Sequence, residues 1–251
     1  MLNVLIPLGG KSEFFDPHDF PFPKPLIEVC GKPMIQIVLE DMAKIAGPKR
    51  FIFIVRIEDC QKFHLDRVLR LLTDDNCEIV QLREDTKGAA CSALLAISHI
   101  DSSEPLLIYN GDQHIDCDLG AAIRKFDTSG VDGGLICFES IHPKWSYVRL
   151  EDGQVVESAE KRPISKNAIA GFYYFRQGSD FVAAAQEMIK KDVNTNGAYY
   201  VAPALNEMIL NDKRVEIIKV PAEGYHSFYS PQKLVEFEQL QTINNRSAKH
   251  D

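Results

Sequence analysis

The chain lacks a Cys-x-x-Cys pair, an apolar run of membrane-spanning length, an internal repeat and a low-complexity linker, and it holds one tryptophan. Each absence removes a class of protein. The six cysteines, at 30, 60, 77, 91, 117 and 137, lie mostly in or beside apolar runs. They read as small buried hydrophobes in a reducing compartment, not as a zinc or redox site. Without about 20 consecutive apolar residues, no membrane span is expected. Met1 to Leu8 has neither a basic leading region nor a cleavage site, so it reads as a strand and not a signal peptide. The expected address is the cytoplasm. Acidic residues outnumber basic ones, 36 to 28, for a formal net charge of -8. That balance speaks against a protein that coats nucleic acid, while a local basic pocket stays compatible with it.

What is present is an ordinary globular composition, 45% hydrophobic and 25% charged in 251 residues. A chain of this length can bury a large core without metal or disulfide staples. Val4 to Leu8, Phe51 to Val55, Glu78 to Leu82 and Pro105 to Tyr109 are short apolar runs of buried-strand type. Between them, Pro33 to Ile45, Glu58 to Leu72 and Gly88 to His99 carry apolar residues at helical spacing. This alternation predicts an α/β fold with a doubly wound, mostly parallel sheet. After Asp112 the rhythm changes. Asp118 to Phe126 predicts a helix, and Gly133 to Glu139, Tyr147 to Leu150, Gln154 to Ala159 and Ala168 to Phe175 follow as strands. They are expected as antiparallel additions at or above the sheet. Helices are expected at Ser179 to Lys191, Tyr199 to Leu210 and Pro231 to Leu240, with a strand at Val215 to Val220. The simplest arrangement is an α/β half with an inserted β-rich half closing over its strand ends, where such sheets bind ligands.

Gly9-Gly10-Lys11-Ser12 follows the first strand directly. Backbone N–H groups in a tight glycine turn can face phosphate oxygens, although a plain strand-to-loop turn also explains the pair. It is not a Walker loop, because Leu5 holds the required upstream glycine position. Lys24 stands between Pro23 and Pro25, so it is expected on a stiff extended segment that fixes a point charge.

Strand, Gly-Gly loop and then the run from Phe22 to Ile35 (FPKPLIEVCGKPMI) resemble the opening of the sugar-phosphate nucleotidyltransferases, or nucleoside-diphosphate-sugar pyrophosphorylases. The similarity is greatest to short members of the capsule and surface-polysaccharide type. Further matches follow in order: Thr86-Lys87-Gly88-Ala89-Ala90, Asn110-Gly111-Asp112-Gln113, Trp145-Ser146-Tyr147, Glu160 to Ser165, Ala170 to Phe175 and Asn196 to Pro203. The ordered set, more than any one piece, carries the resemblance across nearly the whole chain.

The resemblance implies a single domain over 1–251, with a nucleotide-binding half at 1–116 and an acceptor-binding half with C-terminal helices at 117–251. It implies a doubly wound mixed sheet of the glycosyltransferase-A-like, Rossmann-like type. The implied reaction joins a nucleoside monophosphate to a sugar 1-phosphate or similar metabolite and releases pyrophosphate. Leu8, Gly9, Gly10, Lys11, Lys24, Thr86, Gly88, Asn110 and Asp112 would bind the nucleotide, with Gly88 admitting the base to the backbone. Lys24, Lys11 and Asp112 would serve catalysis, and Asp112 would hold Mg²⁺. Trp145, Tyr147, Glu160, Lys161, Gly171 and Tyr200 would bind the second substrate. Gly171 would leave it room, and Trp145 could equally belong to the core. Expected partners are a nucleoside triphosphate and a phosphorylated small molecule, with a homo-oligomer left open and neither nucleic acid nor membrane expected.

Three segments depart from the family's pattern. Ser12 and Glu13 replace its third glycine and following residue, and Phe14 stands where an arginine toward the leaving pyrophosphate is usual. Ser227 to Pro231 has no carboxylate where many members have a metal-holding aspartate, and Ala198 replaces a frequent glutamate. Two rival readings follow: a binding protein without catalysis, and a glycosyltransferase. The second would need two carboxylates one residue apart, whereas Asp112 is followed next by Asp116.

Overall fold

The computed structural model describes residues 1–11 and 13–247; Ser12 of the glycine loop lies outside them. Four parallel strands form its first part: β1 (Leu2–Pro7), β4 (Lys49–Arg56), β5 (Cys77–Leu82) and β6 (Leu106–Tyr109). They stand in the order β5-β4-β1-β6. Their near-continuous apolar sequences follow from burial on both faces. Val4 and Ile6 face one core while Leu5 faces the other, and Phe51, Phe53 and Val55 oppose Ile52 and Ile54 in the same way. Period-two alternation thus splits one apolar run between two cores.

The first core is covered by α1 (Met34–Ala43), α3 (Leu65–Leu72) and α6 (Leu119–Ser129). The second lies under α4 (Ala89–Leu94), α7 (Gly178–Lys190) and α8 (Val201–Leu210). Asp118 stands outside α6 as its N-cap, where its side chain accepts from the Ala121 N–H at 2.8 Å. The helix expected over 58–72 is two helices, α2 (Ile57–Phe63) and α3, because His64 turns left-handed at φ 55°. Histidine is one of the few side chains that tolerate this region, and apolar spacing does not register a one-residue break. The helix expected over 88–99 likewise divides into α4 and α5 (Ile97–Ile100).

The β-rich part does not form a separate layer. β11 (Asn167–Phe175) pairs antiparallel with the free edge of β6, in register Phe172↔Tyr109 to Phe175↔Leu106. The sheet then continues through β8 (Gly133–Glu139), β12 (Val215–Lys219), β10 (Gln154–Glu160) and β9 (Ser146–Glu151), giving nine strands in one mixed sheet. The open edge of β6 is satisfied by extending the ladder. Four short strands had no sequence signal: β2 (Glu28–Val29), β3 (Lys32–Pro33), β7 (Gln113–Ile115) and β13 (Tyr225–Ser227). The β7–β13 ribbon pairs residues about 110 positions apart, so its partner is set by the fold. A third, smaller core gathers Phe15, Ile27, Val29, Met34, Phe228 and Phe237 beneath the loop after β1 and α9 (Pro231–Ser247).

Candidate active site

The chain winds from β1 outward to β4 and β5, then returns to place β6 on the other side of β1. Neighbouring loops at the carboxyl ends of β1 and β6 therefore diverge, which opens a crevice at that switch point. Leu8 to Lys11 leaves β1 and Asn110 to Asp112 leaves β6. Two adjoining hollows result. One, of about 140 Å³, is lined by Leu8, Gly10, Lys11, Lys24, Asn110 and Asp112, among others. The second, of about 450 Å³, adds Gly9, Asp85, Thr86, Gly88 and Ser92. All nine residues expected at the nucleotide thus border one continuous region. Nothing lies within 4 Å of a side chain built at Gly10, so its backbone faces open space.

Lys24 does not sit on an extended segment. Pro23 is extended, but Lys24 opens a 3-10 turn, Lys24–Leu26, closed by Leu26 N–H to the Pro23 carbonyl at 2.8 Å. Pro25 is buried in that turn and anchors it. The Lys24 ammonium meets Asp112 Oδ2 at 2.5 Å and lies 5.5 Å from the Phe15 ring. Lys11 is equally engaged: its ammonium contacts Asp85 Oδ2 at 2.7 Å, and Arg56 holds the other oxygen of that carboxylate at 2.5 Å. The two cations hold the Asp85 carboxyl below its usual range, the Lys11 hydrogen bond most of all. Sequence reading missed Asp85 and Arg56. Asp85 directly precedes the Thr86–Ala90 match, which is the signal that could have found it.

Gly88 borders the larger hollow and also packs tightly against the chain itself. At φ 110° it caps the start of α4, and a Cβ there would lie 2.4 Å from the Tyr199 carbonyl oxygen. The backbone of 87–90 clasps Tyr199 through Tyr199 N–H to Lys87 O at 2.7 Å and Ala90 N–H to Tyr199 O at 3.0 Å. Thr86 supports the same turn by donating to the Gly88 carbonyl at 3.1 Å.

On the acceptor side the expected residues disperse. Glu160 and Ser146 are cross-strand partners of β10 and β9, and the Ser146 hydroxyl donates to Glu160 Oε2. Burial outweighs that hydrogen bond and raises the Glu160 carboxyl above its ordinary value. Lys161 follows at φ 54°, uncommon for lysine, and donates to the Tyr200 hydroxyl at 2.8 Å. Lys161 and Tyr200 therefore meet, as do Ser146 and Glu160. Tyr147 does not join them. It is 0% exposed, and its hydroxyl donates to the His142 carbonyl at 2.6 Å, which makes it a core residue with a satisfied phenol. The space beside Gly171 is also taken: at φ 60°, a Cβ would fall 2.3 Å from Asn110 Nδ2 and 2.4 Å from Gln113 Oε1. Gly171 sits at a register shift in β11 where its carbonyl accepts from the Asn110 N–H at 3.0 Å and Gln113 Nε2 at 3.1 Å. Its role is to seat the loop that carries Asp112. Trp145 is half-buried against Phe138 and Tyr225, at ring distances of 5.5 Å each, and lines a different hollow of about 230 Å³.

Two buried phenols, not singled out as site residues from the sequence, respond to the carboxylates of the two sides. Burial, then Glu160, pushes the Tyr173 phenol up, and burial, then Asp112, does the same to Tyr225. Asp116 lies in yet another hollow with His114 and His226, so no second carboxylate joins Asp112 by spacing along its strand. Among the described residues, no group of three or more His, Cys, Asp or Glu is gathered as a metal cage. Asp85 borders the same cavity as Asp112 but is held by Lys11 and Arg56, and Asp112 still fits Mg²⁺, which commonly takes one or two protein carboxylates and fills its sphere with substrate phosphate and water.

A profile of the nucleotidyl transferase family matches residues 4–214, and the chain belongs to that family. It is 20% identical over 225 residues to the UTP–glucose-1-phosphate uridylyltransferase AglF of Haloferax volcanii, which covers 87% of this chain and 88% of that protein. It is 25% identical over 182 residues to the mannose-1-phosphate guanylyltransferase catalytic subunit beta of Danio rerio, covering 69% of this chain. The match spans about half (49%) of that longer relative. Among solved structures, the nucleoside-diphosphate-sugar pyrophosphorylase of Vibrio cholerae RC9 superposes with a TM-score of 0.79 at 22% identity, over 94% of this chain and 99% of that one. UDP-glucose pyrophosphorylase bound to UDP-glucose gives 0.75 at 18% identity, over 96% and 98%. These likenesses establish the mixed-sheet fold shared with those pyrophosphorylases.

Proposed function

We propose that this protein transfers a nucleoside monophosphate from a nucleoside triphosphate to a sugar 1-phosphate or a similar phosphorylated metabolite. The product is a nucleotide-sugar-type donor of the kind that surface-polysaccharide synthesis consumes. The observation that carries the reading is the convergence of all nine expected nucleotide residues, with Lys24 and Asp112 in contact, on one crevice at the sheet's switch point.

A phosphate oxygen of the acceptor attacks the α-phosphorus, the bond to the β-phosphate's bridging oxygen breaks, and pyrophosphate departs. The attacking phosphate is already anionic, so no side chain must remove a proton. The chain's task is alignment and charge neutralisation. Gly9 and Gly10 present backbone to the phosphates, and Lys24 supplies a positive charge from a turn pinned by Pro25. Asp112 would hold Mg²⁺, which when bound neutralises phosphate charge. Lys161, braced by Tyr200, receives the acceptor's phosphate, and the half-buried Glu160 accepts from its hydroxyls. Among the described residues no helix is long and apolar enough to cross a bilayer.

The test is a screen of the four common ribonucleoside triphosphates and dTTP against a panel of sugar 1-phosphates and other phosphorylated metabolites, with Mg²⁺, reading pyrophosphate. Release with one pair establishes the reaction and names its substrates. Tight nucleotide binding with no release from any pair would instead favour a sensor, the reading that the altered loop at Phe14 supports.

A further inference from the structure

Asp41 is buried in α1, 1% exposed, and no step of the transfer described above uses it. A carboxylate leaves water only at a cost that close partners must offset. The two oxygens of Asp41 divide those partners. Oδ1 meets the Lys44 ammonium at 3.0 Å, three residues on. Oδ2 accepts from the Tyr109 hydroxyl at 3.3 Å and from His114 Nδ1 at 2.8 Å. A carboxylate only accepts, so the proton of the second contact sits on Nδ1 of His114.

Tyr109 ends β6 and His114 is the middle residue of β7. One oxygen from a third element therefore joins both ends of the segment that carries Asp112. Within that segment the Asn110 N–H donates to the Gly171 carbonyl at 3.0 Å, and the Asp112 carbonyl accepts from the Phe228 N–H at 2.7 Å. These bonds hold its backbone to β11 and to the residue after β13, while Asp41 holds it to α1. The same helix backs the turn that carries Lys24: the N–H of Met34, its first residue, donates to the Ile27 carbonyl at 2.9 Å, directly after that turn. α1 is thus a common frame for the ammonium and the carboxylate that meet in the crevice.

We propose that Asp41 is a positioning residue for nucleotidyl transfer, setting through Tyr109 and His114 where the Asp112 carboxylate stands. The proposal rests on the transfer reading above. Buried charges are often replaced by apolar side chains without loss of stability, so orientation of the segment at 109–114 accounts for this carboxylate better than stability does.

Two measurements on the full chain test it: hydrogen exchange of the peptide 106–115 without ligand, and steady-state pyrophosphate release with the substrate pair that the screen identifies. Asp41→Leu should speed exchange in that peptide about tenfold. It should lower kcat about ten- to a hundredfold, with both KM values within about threefold, as expected for a misplaced group that acts in the transition state. Asp41→Asn should keep kcat within about threefold, because its one carbonyl oxygen still accepts from both donors. Should Asp41→Leu fail to fold, Tyr109→Phe removes one of the two bonds and is expected to lower kcat about threefold or more. Lys44→Met, which touches only the far oxygen, should leave exchange at 106–115 and kcat within about twofold of wild type. In an Asp112→Asn background Asp41→Leu should add less than about twofold, since nothing is left to position.

Unchanged kcat in folded Asp41→Leu, or in Tyr109→Phe where the leucine variant does not fold, overturns the proposal. So does a loss in Lys44→Met as large as in Asp41→Leu, which would reduce Asp41 to a stabilising contact, or a fully additive loss in the Asp112→Asn background. A wild type that releases pyrophosphate from no pair overturns the transfer reading and this proposal with it, and the exchange measurement tells that failure apart from failure of the clamp.

Discussion

The half at 1–116 and the half at 117–251 meet the same demand in opposite ways. In the first, every residue expected at the nucleotide borders one crevice, because each but Lys24 sits within about six positions of a parallel strand's carboxyl end, and Lys24 is brought in by the turn Lys24–Leu26. Strand ends in such a sheet are brought together by the sheet itself. In the second, the expected residues other than Tyr200 lie in or directly beside antiparallel strands, where successive side chains face opposite ways. Ser146 and Glu160 pair across two strands, while Tyr147, one residue on, points into the core. A motif on an antiparallel strand is therefore half site and half packing, and residue identity alone does not say which half is which.

That contrast can be broken experimentally, most strongly at Asp112. Asp112→Asn should fold with a near-normal melting temperature yet lose pyrophosphate release by at least about a hundredfold, because the crevice loses its anionic ligand for metal. Near-wild-type turnover would remove Asp112 from the machinery and leave the first half's convergence without chemical meaning.

Gly88→Ala separates packing from ligand access within the same half. A Cβ at φ 110° and 2.4 Å from the Tyr199 carbonyl should cost roughly 2–3 kcal/mol of stability. Urea unfolding reads this directly. An unchanged midpoint together with a raised KM for the triphosphate would restore the base-approach role expected from the motif.

Lys24 and Lys161 compare the two halves at the level of substrate. Lys24→Ala should raise KM for the triphosphate about tenfold, and Lys161→Ala should do so for the phosphorylated acceptor, in steady-state titrations of each substrate. If both variants lost affinity for the same substrate only, the division of the crevice into two sides would be wrong.

The smallest effect is expected at Tyr147. Tyr147→Phe removes a buried hydrogen bond to the His142 carbonyl and should cost about 1 kcal/mol in stability, with both KM values unchanged. A raised acceptor KM at unaltered stability would return Tyr147 to the pocket wall.

Much of the order of elements was legible from apolar periodicity, and Gly133–Glu139 matches strand β8 residue for residue. The misses have local causes. His64 divides a helix with one left-handed residue that no hydrophobic pattern records. β7 and β13 are three residues each and exist only because the fold brings their edges together. Asp85 was passed over because an acidic residue in a polar loop looks solvated until Arg56 and Lys11 are seen to converge on it.

By itself, the sequence determined the alternation of strand and helix, the two-faced burial of β1 and β4, and the residues gathered at the strand ends. These depend on spacing along the chain, which a sequence displays directly. Only the tertiary structure decided that Gly88 and Gly171 serve backbone contacts, that Lys11 is held by Asp85, and that Asp41 ties Tyr109 to His114. Each of these joins segments distant in the chain, and the charge or space at such a contact belongs to the pair and not to either residue alone.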